Sequence, residues 1–443
     1  MCNIKREDYV NQAQLFYCEF LKLAKSTFPT VNLFQYSVED IIDKGLMTHN
    51  RELFEKIEEV SRFLNFSYTE DFVLITYKPY YALYSEWKYY CEEKGLADKT
   101  DKDLWNHWGG LLRHTRGIVL HRHSGDLVIN PYEKFFNIDE MDECNTENVV
   151  ERVKDANVVE ISEKLDGSLI MARYYNGKYV MSSSGQLDEN KCPQLKEAYD
   201  ILVRSALMRS MIKHYPSLTF IFELISPNDA HVVKYDGDSR LVLIGIKSTK
   251  SNYIFPYAKV RNIASDWYIP CTRIYNSTLE DILSSRDEKK AFEAEGFVLN
   301  VDGYRVKIKY NDYLNVAGFV SSLNPKVVIK AVADNCVEEL KLSCPGCTEY
   351  INKIIDVITL YIKKMTEEID ECYEKGIRAT KDKVEFMKYV QMYVPHHIIG
   401  FVIQRYYDKF TIKNLLKTFS GKYIKYYKIK EYLKDETLEA VPF

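Results

Sequence analysis

The chain contains no run of about 18 apolar residues, the length a membrane-spanning helix needs. It starts Met1-Cys2-Asn3-Ile4-Lys5-Arg6-Glu7-Asp8, with no apolar core behind the charges, so no secretory signal is expected. Its ten cysteines lack framework spacing. Cys344-Pro345-Gly346-Cys347 is the single CxxC, with no second CxxC or histidine pair at zinc-finger spacing. A disulfide scaffold and a zinc module are therefore disfavoured, and an intracellular, cytoplasmic setting is expected. The adjacent His396-His397 flanks an apolar run and reads as structural. A net charge of −4 removes the globally basic class of nucleic-acid binder, so any anion-binding surface has to be local. Internal repeats and low-complexity segments are also missing.

What is present is a long chain of 443 residues, 46% apolar and 28% charged, enough for two or three domains with real cores. Residues 1–66 read as a helical N-terminal extension. Ser37-Val38-Glu39-Asp40 resembles a capping box, and Leu53, Phe54, Ile57, Val60 and Leu64 fall on one helical face. From 67 the period changes. Strands are predicted at 72–77, 117–120, 126–130, 168–175, 178–183, 218–224, 241–246, 296–301 and 304–309, with one helix over 194–213. Asn176-Gly177 and Asp302-Gly303 are hairpin turns. Residues 67–315 thus form a largely antiparallel α+β domain. Beyond Asn324-Pro325 the strands stop. Ile351, Ile354, Ile355, Ile358, Ile362, Met365, Ile369 and Cys372 make one helical stripe, and 316–443 reads as an all-helical C-terminal domain. Its segment 405–430 interleaves lysines with aromatic residues, which suits either an RNA-facing surface or a solvated helix face. Thirty-five tyrosines admit the same two readings: flat faces for bases, or half-buried strands.

One stretch stands out between two apolar runs: Ser162-Glu163-Lys164-Leu165-Asp166-Gly167-Ser168. Read as chemistry, Lys164 is a nucleophile that carries a nucleotide. Such a lysine must shed its proton near neutral pH, although a free one has a pKa of about 10.4. Nearby cations and partial burial are expected to depress it. A triphosphate needs cations at its α-phosphate and a divalent metal. Lys307-Ile308-Lys309 would place two ammonium groups on one strand face. Glu295-Gly296-Phe297-Val298 lies across the Asp302-Gly303 turn, so hairpin pairing brings Glu295 beside them.

The ordered set Lys164-Leu165-Asp166-Gly167-Ser168, Phe222-Glu223, Glu295-Gly296-Phe297-Val298 and Lys307-Ile308-Lys309 resembles the motifs of covalent nucleotidyltransferases. More closely, the chain is similar to the bacteriophage RNA ligase 1 family of ATP-dependent, tRNA-repairing RNA ligases. Tyr84-Ser85-Glu86-Trp87, Arg116-Gly117-Ile118-Val119 and Glu133-Lys134-Phe135-Phe136-Asn137 carry that likeness upstream. Ser322-Leu323-Asn324-Pro325 and Glu338-Glu339-Leu340-Lys341 carry it downstream.

The resemblance implies a role for each matching residue. Lys164 would attack ATP to form lysyl-AMP, Asp166 would orient the site, and Gly167 would let the backbone turn beside the nucleotide. Arg116 and Lys134 would bind phosphate groups, Glu223 the ribose, and Lys307 and Lys309 the α-phosphate. Glu295 would serve metal-assisted catalysis, and Tyr313 would serve ligation. Glu163 belongs to the implied nucleotide-binding set, as does Tyr77, whose place Tyr80 or Tyr81 could take. Phe136, Leu243 and Val298 would line the adenine slot, or else pack the core. Glu338 stands where the family has a magnesium-binding aspartate, one methylene longer. The family also has a lysine where this chain has Ser182, and Lys178 lies four residues upstream.

The implied activity joins 5′-phosphate and 3′-hydroxyl RNA ends through lysyl-AMP and an adenylylated RNA. ATP would be the co-substrate and magnesium, or manganese, the metal. The partners would be single-stranded RNA or nicked tRNA, with no membrane and a monomeric chain. The alternatives are a DNA-ligase or capping-type nucleotidyltransferase, which usually places an OB-fold after the last lysine motif, and a non-catalytic RNA-end-binding protein.

Overall fold

The computed structural model describes residues 10–27, 38, 51–96, 98–227, 231–233, 235–322, 325–343, 348–417 and 421–433. Most of the expected capping box at 37–40 and the CxxC at 344–347 lie outside them. The chain is a mixed α+β protein of two compact units, 1–310 and 311–443.

Three sheets build the first unit. One runs in the order β1 (Leu64–Tyr68), β2 (Phe72–Tyr77), β3 (Arg116–His121), β4 (Leu127–Ile129). A second includes β7 (Ser168–Tyr175), β8 (Lys178–Ser183), β9 (Leu218–Ile225) and β10 (Arg240–Ser248), in the order β10-β9-β7-β8. The third runs β11 (Ile274–Tyr275), β6 (Val159–Lys164), β12 (Gly296–Val301), β13 (Tyr304–Lys309), β5 (Phe136–Asn137). Both hairpin turns have the positive φ pair of a type I′ turn: 46° and 84° at Asn176-Gly177, 49° and 92° at Asp302-Gly303. The predicted strands 72–77, 168–175, 178–183, 296–301 and 304–309 keep their ends. The predicted helix over 194–213 is two helices, Pro193–Arg204 and Ala206–His214. Ser205 breaks it by turning extended (φ −96°, ψ 97°) and capping the second with its side chain.

Period-2 alternation decides which side chains reach which face of the second sheet. Ile170, Ala172, Phe220, Phe222 and Leu224 pack against the helices 193–204, 206–214 and Tyr257–Asp266. Met171, Val180 and Ile221 point the other way and pack with Leu74, Val119, Val128 and Ile129 of the first sheet. Glu223 shares the parity of Ile221, so it is aimed away from the helix-side core. The helix Gln12–Thr27 is fastened to the first sheet: Tyr17 Oη donates to the Arg122 carbonyl (3.0 Å) and Gln14 Nε2 to that of Gly125 (3.1 Å). The expected boundary at 66 falls inside β1.

In the second unit the described residues are helical, around the long helix Thr348–Ala379. Ile351, Ile354, Ile358, Met365 and Ile369 of the expected stripe form its core, with Ile355, Ile362 and Cys372 at the margin. Several cations of the 405–430 segment are tied within the unit: Arg405 to Asp370 (2.8 Å) and Lys413 to Asp334 (2.6 Å).

The adenine-slot expectation for Leu243 needs correction. Leu243 pairs with Phe222 and is fully buried in the helix-side core. A bulge between Leu243 and Gly245 gives the opposite face to Ile244. Leu243→Ala should therefore cost about 2–5 kcal/mol of stability, read as a lower urea midpoint, with no selective loss of nucleotide binding at permissive temperature.

Candidate active site

A cavity of about 420 Å³ opens between the second and third sheets. The register of the third sheet assembles its reactive end. Gly296 pairs with Lys164 on one side and Lys309 on the other. Glu295, one residue earlier and only 3% exposed, lies between the two lysines. Lys164 Nζ donates to Glu295 Oε2 at 2.6 Å, and Lys309 Nζ to Oε1 at 2.8 Å.

The electrostatics of Lys164 reverse the expectation. Burial pulls its pKa down, but the carboxylates of Glu295, Glu223 and Asp166 outweigh burial, and the net shift is upward. In the resting site Lys164 is an ammonium held by its neighbours. Lys307 differs: burial first, then Arg116, Lys134 and Lys164, push it well below the ordinary lysine range. Lys307 and Arg116 both lie over the Phe135 ring, at 4.7 and 5.6 Å, and neither has an ion pair among the described residues. Two basic groups facing one cavity, neither ion-paired among the described residues, make a ready anion site, since an arriving anion favours the charged form of Lys307.

Glu223 reaches the cavity as the strand alternation requires. Burial raises its pKa to about 7, against the lowering effect of Lys164, while Glu295 raises it further and Arg116 and His231 lower it. Gly167 is glycine because β9 comes close: a Cβ there would run into the Leu224 carbonyl and the Glu223 side chain. The backbone turn expected of Gly167 is thus a close-approach requirement. Asp166 fastens a neighbouring segment, its Oδ2 accepting from the backbone N–H of Val232 and Val233, both at 2.9 Å. Its own N–H donates to Tyr235 Oη at 2.8 Å.

Of the expected residues, Arg116, Glu163, Lys164, Asp166, Gly167, Glu223, Glu295, Val298, Lys307 and Lys309 line this cavity together. Lys134 and Phe136 do not. They line a smaller space of about 100 Å³, where Lys134 is buried, 4.5 Å above the Phe136 ring and 3.8 Å from Glu140. Tyr77 stacks on Tyr80 (6.0 Å) and edges Trp105 (5.2 Å), also outside the large cavity, while Tyr81 is 80% exposed. Tyr313 and Glu338 belong to the second unit. There Tyr313 is buried, and Glu338 is exposed and paired with Lys341 at 3.1 Å. Ser182 is fully buried, its Oγ without a partner. Lys178 does not replace the missing cation, because it pairs with Asp71 at 3.0 Å at the hairpin's outer end.

The sequence reading missed Tyr132, Phe135, His231, Ile244, Tyr257 and Arg305. Arg305 was findable, since Arg305-Val306-Lys307-Ile308-Lys309 alternates cations on one face. His231 carries no local signal. Among the described residues no group of three or more His, Cys, Asp or Glu side chains is placed to hold a metal. The donors present fit a magnesium-type ion that takes most of its oxygen ligands from phosphates and water.

Sequence comparison bears on the same stretch. Residues 114–314 match the RNA ligase family model. The match covers a little under half of the chain and includes Lys164, Glu223, Glu295, Lys307 and Lys309. A protein of Thermovibrio ammonificans named as an RNA ligase is 29% identical over 191 residues, 42% of this chain and 47% of its own length. Solved structures of Naegleria gruberi RNA ligase are similar at lower identity. The form with PPi is 18% identical, with 38% of this chain and 53% of that chain covered and a TM-score of 0.32. A mutant form with ATP and Mn is 19% identical, with 40% and 57% covered and a TM-score of 0.33. The chain thus spans about half the length of the relatives it matches.

Glu223 yields a pH prediction. Its pKa is raised on folding, from 4.5 to about 7, so the native state binds more protons than the unfolded chain in that window. Its contribution to stability is complete below about 4.5 and declines as pH rises through 7. Glu223→Gln keeps the neutral form at every pH. The melting temperature of the variant, minus that of the native chain, should therefore grow from pH 5 to pH 8 in a scanning calorimetry series; a flat difference would contradict the assignment.

Proposed function

We propose that this chain is an ATP-dependent RNA ligase that joins 5′-phosphate and 3′-hydroxyl RNA ends, with repair of broken tRNA as its setting. The observation that carries the reading is the Lys164–Glu295–Lys309 bridge beside the unpaired Lys307 and Arg116, inside one nucleotide-sized cavity. The Naegleria ligase structures with ATP and Mn support the choice of co-substrate and metal class.

The chemistry follows from the charges. Lys164 cannot attack while Glu295, Glu223 and Asp166 keep it protonated. A nucleotide triphosphate brings anionic oxygens to Lys309, Lys307 and Arg116. A magnesium or manganese ion bound with the triphosphate would supply further positive charge against the phosphate oxygens, with Glu295 the nearby carboxylate that could contact it. Lys164 then loses its proton through Glu295, and its Nζ forms a bond to the α-phosphorus. The α–β phosphoanhydride bond breaks, and pyrophosphate leaves with the electron pair. An oxygen of an RNA 5′-phosphate next attacks the lysyl-AMP phosphorus, the P–N bond breaks, and Lys164 regains a proton. Finally a 3′-hydroxyl attacks the capped 5′-phosphorus and AMP departs. The later steps need mainly alignment and charge stabilisation.

The described residues after 310 are helical, which supports RNA joining over a DNA-ligase or capping enzyme with a following OB-fold. A non-catalytic RNA-end-binding reading draws on Ser182 and the distant Lys178. It leaves the retained Lys164, Glu295, Lys307 and Lys309 without a purpose.

Incubation with α-labelled ATP and magnesium, followed by denaturing electrophoresis, is expected to label the native chain. Lys164→Ala should abolish the label, and Lys309→Ala should cut it by about 10²-fold or more. Undiminished labelling of Lys164→Ala would overturn the nucleophile assignment, and RNA-end binding without any label would select the non-catalytic reading. For the tRNA setting, a tRNA nicked in its anticodon loop should be sealed faster than an unstructured 5′-phosphate RNA. Equal rates would remove tRNA specificity.

A further inference from the structure

β13 carries a third cation on the face of Lys307 and Lys309. Arg305 pairs across from Asn300, four register rows along the sheet from the Lys164–Gly296–Lys309 row. It lines the same cavity and is 5% exposed. Its guanidinium lies 3.9 Å over the ring of Tyr132. Tyr132 is itself fixed: its hydroxyl donates to the Ile244 carbonyl at 3.4 Å, and a Cβ at Gly245 would overlap that hydroxyl. The arginine is thus held by stacking, and Nη1 is the guanidinium nitrogen left accessible, with no hydrogen bond among the described residues. Nε and Nη2 are buried and have no hydrogen-bond partner among the described residues. The carboxylate in the same row, Glu160, is engaged elsewhere: Oε2 accepts from Asn300 Nδ2 at 2.8 Å and Oε1 from Ala258 N–H at 3.3 Å.

A guanidinium cannot shed its proton in a protein, and a buried one without acceptors is costly. Such a group implies an acceptor that arrives with a ligand. The surroundings identify the ligand's chemistry. At the other end of the cavity Lys164, Lys309, Lys307 and Arg116 suit phosphate. Around Arg305 the walls are Tyr132, Tyr257, Ile244 and Val298, which suit a flat, apolar-faced group. A planar fork beside aromatic walls matches the ring nitrogens of a purine, which accept in the plane of the ring. Resting on the ATP-dependent reading above, we infer that Arg305, stacked on Tyr132, reads the nucleobase by donating to a purine ring nitrogen. Arg305 would be a specificity residue, acting on nucleotide binding rather than on the phosphoryl step.

The test uses the full chain and measures lysyl-AMP formation with ATP and with its 1-deaza, 3-deaza and 7-deaza analogues, each of which replaces one ring nitrogen by CH. At least one analogue should raise KM about tenfold with kcat nearly unchanged, the size of one lost hydrogen bond to a charged group. Arg305→Met should raise KM for ATP similarly and erase the difference between ATP and that analogue, a split that a merely structural role would not produce. If Arg305→Met fails to fold, the analogue series on the native chain still decides. Equal use of ATP and all three analogues would overturn the inference alone, as would an Arg305→Met KM within twofold of native. Absence of any adenylate in the native chain would sink the ligase reading and this inference together.

Discussion

One carboxylate holds the site together. Glu295 contacts two lysines that reach it from strands on either side of β12. Without it, Lys164 and Lys309 would face each other as like charges in a poorly solvated space. The bridge lets the protein fold with its cations gathered before any phosphate arrives. It also keeps the nucleophile protonated, so the resting site is chemically quiet. Stability of the empty site and reactivity of the filled one are thus opposed through a single residue. Substrate charge is what resolves the opposition.

The surrounding charges are graded rather than uniform. Lys164 and Lys309 are paired, Arg116 and Lys307 face an aromatic ring with no counter-ion among the described residues, and Arg305 is stacked and buried with unsatisfied donors. Moving along the third sheet from Lys309 to Arg305, the walls change from carboxylates to tyrosines and aliphatic side chains. A ligand with anions at one end and a flat heterocycle at the other fits that gradient in one orientation only.

Much of this was legible in the sequence because β-strands are literal. Alternation in Lys307-Ile308-Lys309 and the type I′ turn at Asp302-Gly303 place Glu295 beside the strand that carries both of those lysines, whereas the pairing of β6 with β12 that brings Lys164 to it has no local sequence signal. Two kinds of fact were hidden. The first is which face of β10 meets the helices: Leu243 follows Leu241 into the helix-side core, and hydrophobicity cannot distinguish that from a slot wall. The second is the balance of opposing fields. The sequence shows cations near Lys164, but only distances reveal that carboxylates lie closer and win. Lys134 and Phe136 illustrate a related limit: their motif places them beside the site, and they line the adjoining space.

The contact between Asp166 and the segment that follows β9 has a consequence for how the sequence can drift. The carboxylate grips Val232 and Val233 by their backbone N–H groups, not by their side chains. Any residue except proline offers that handle. The demand for a particular residue therefore falls on the motif, where one oxygen must accept twice, while the gripped pair has only to stay apolar enough for its burial. Exchange of one apolar residue for another at those two positions would leave the fastening intact.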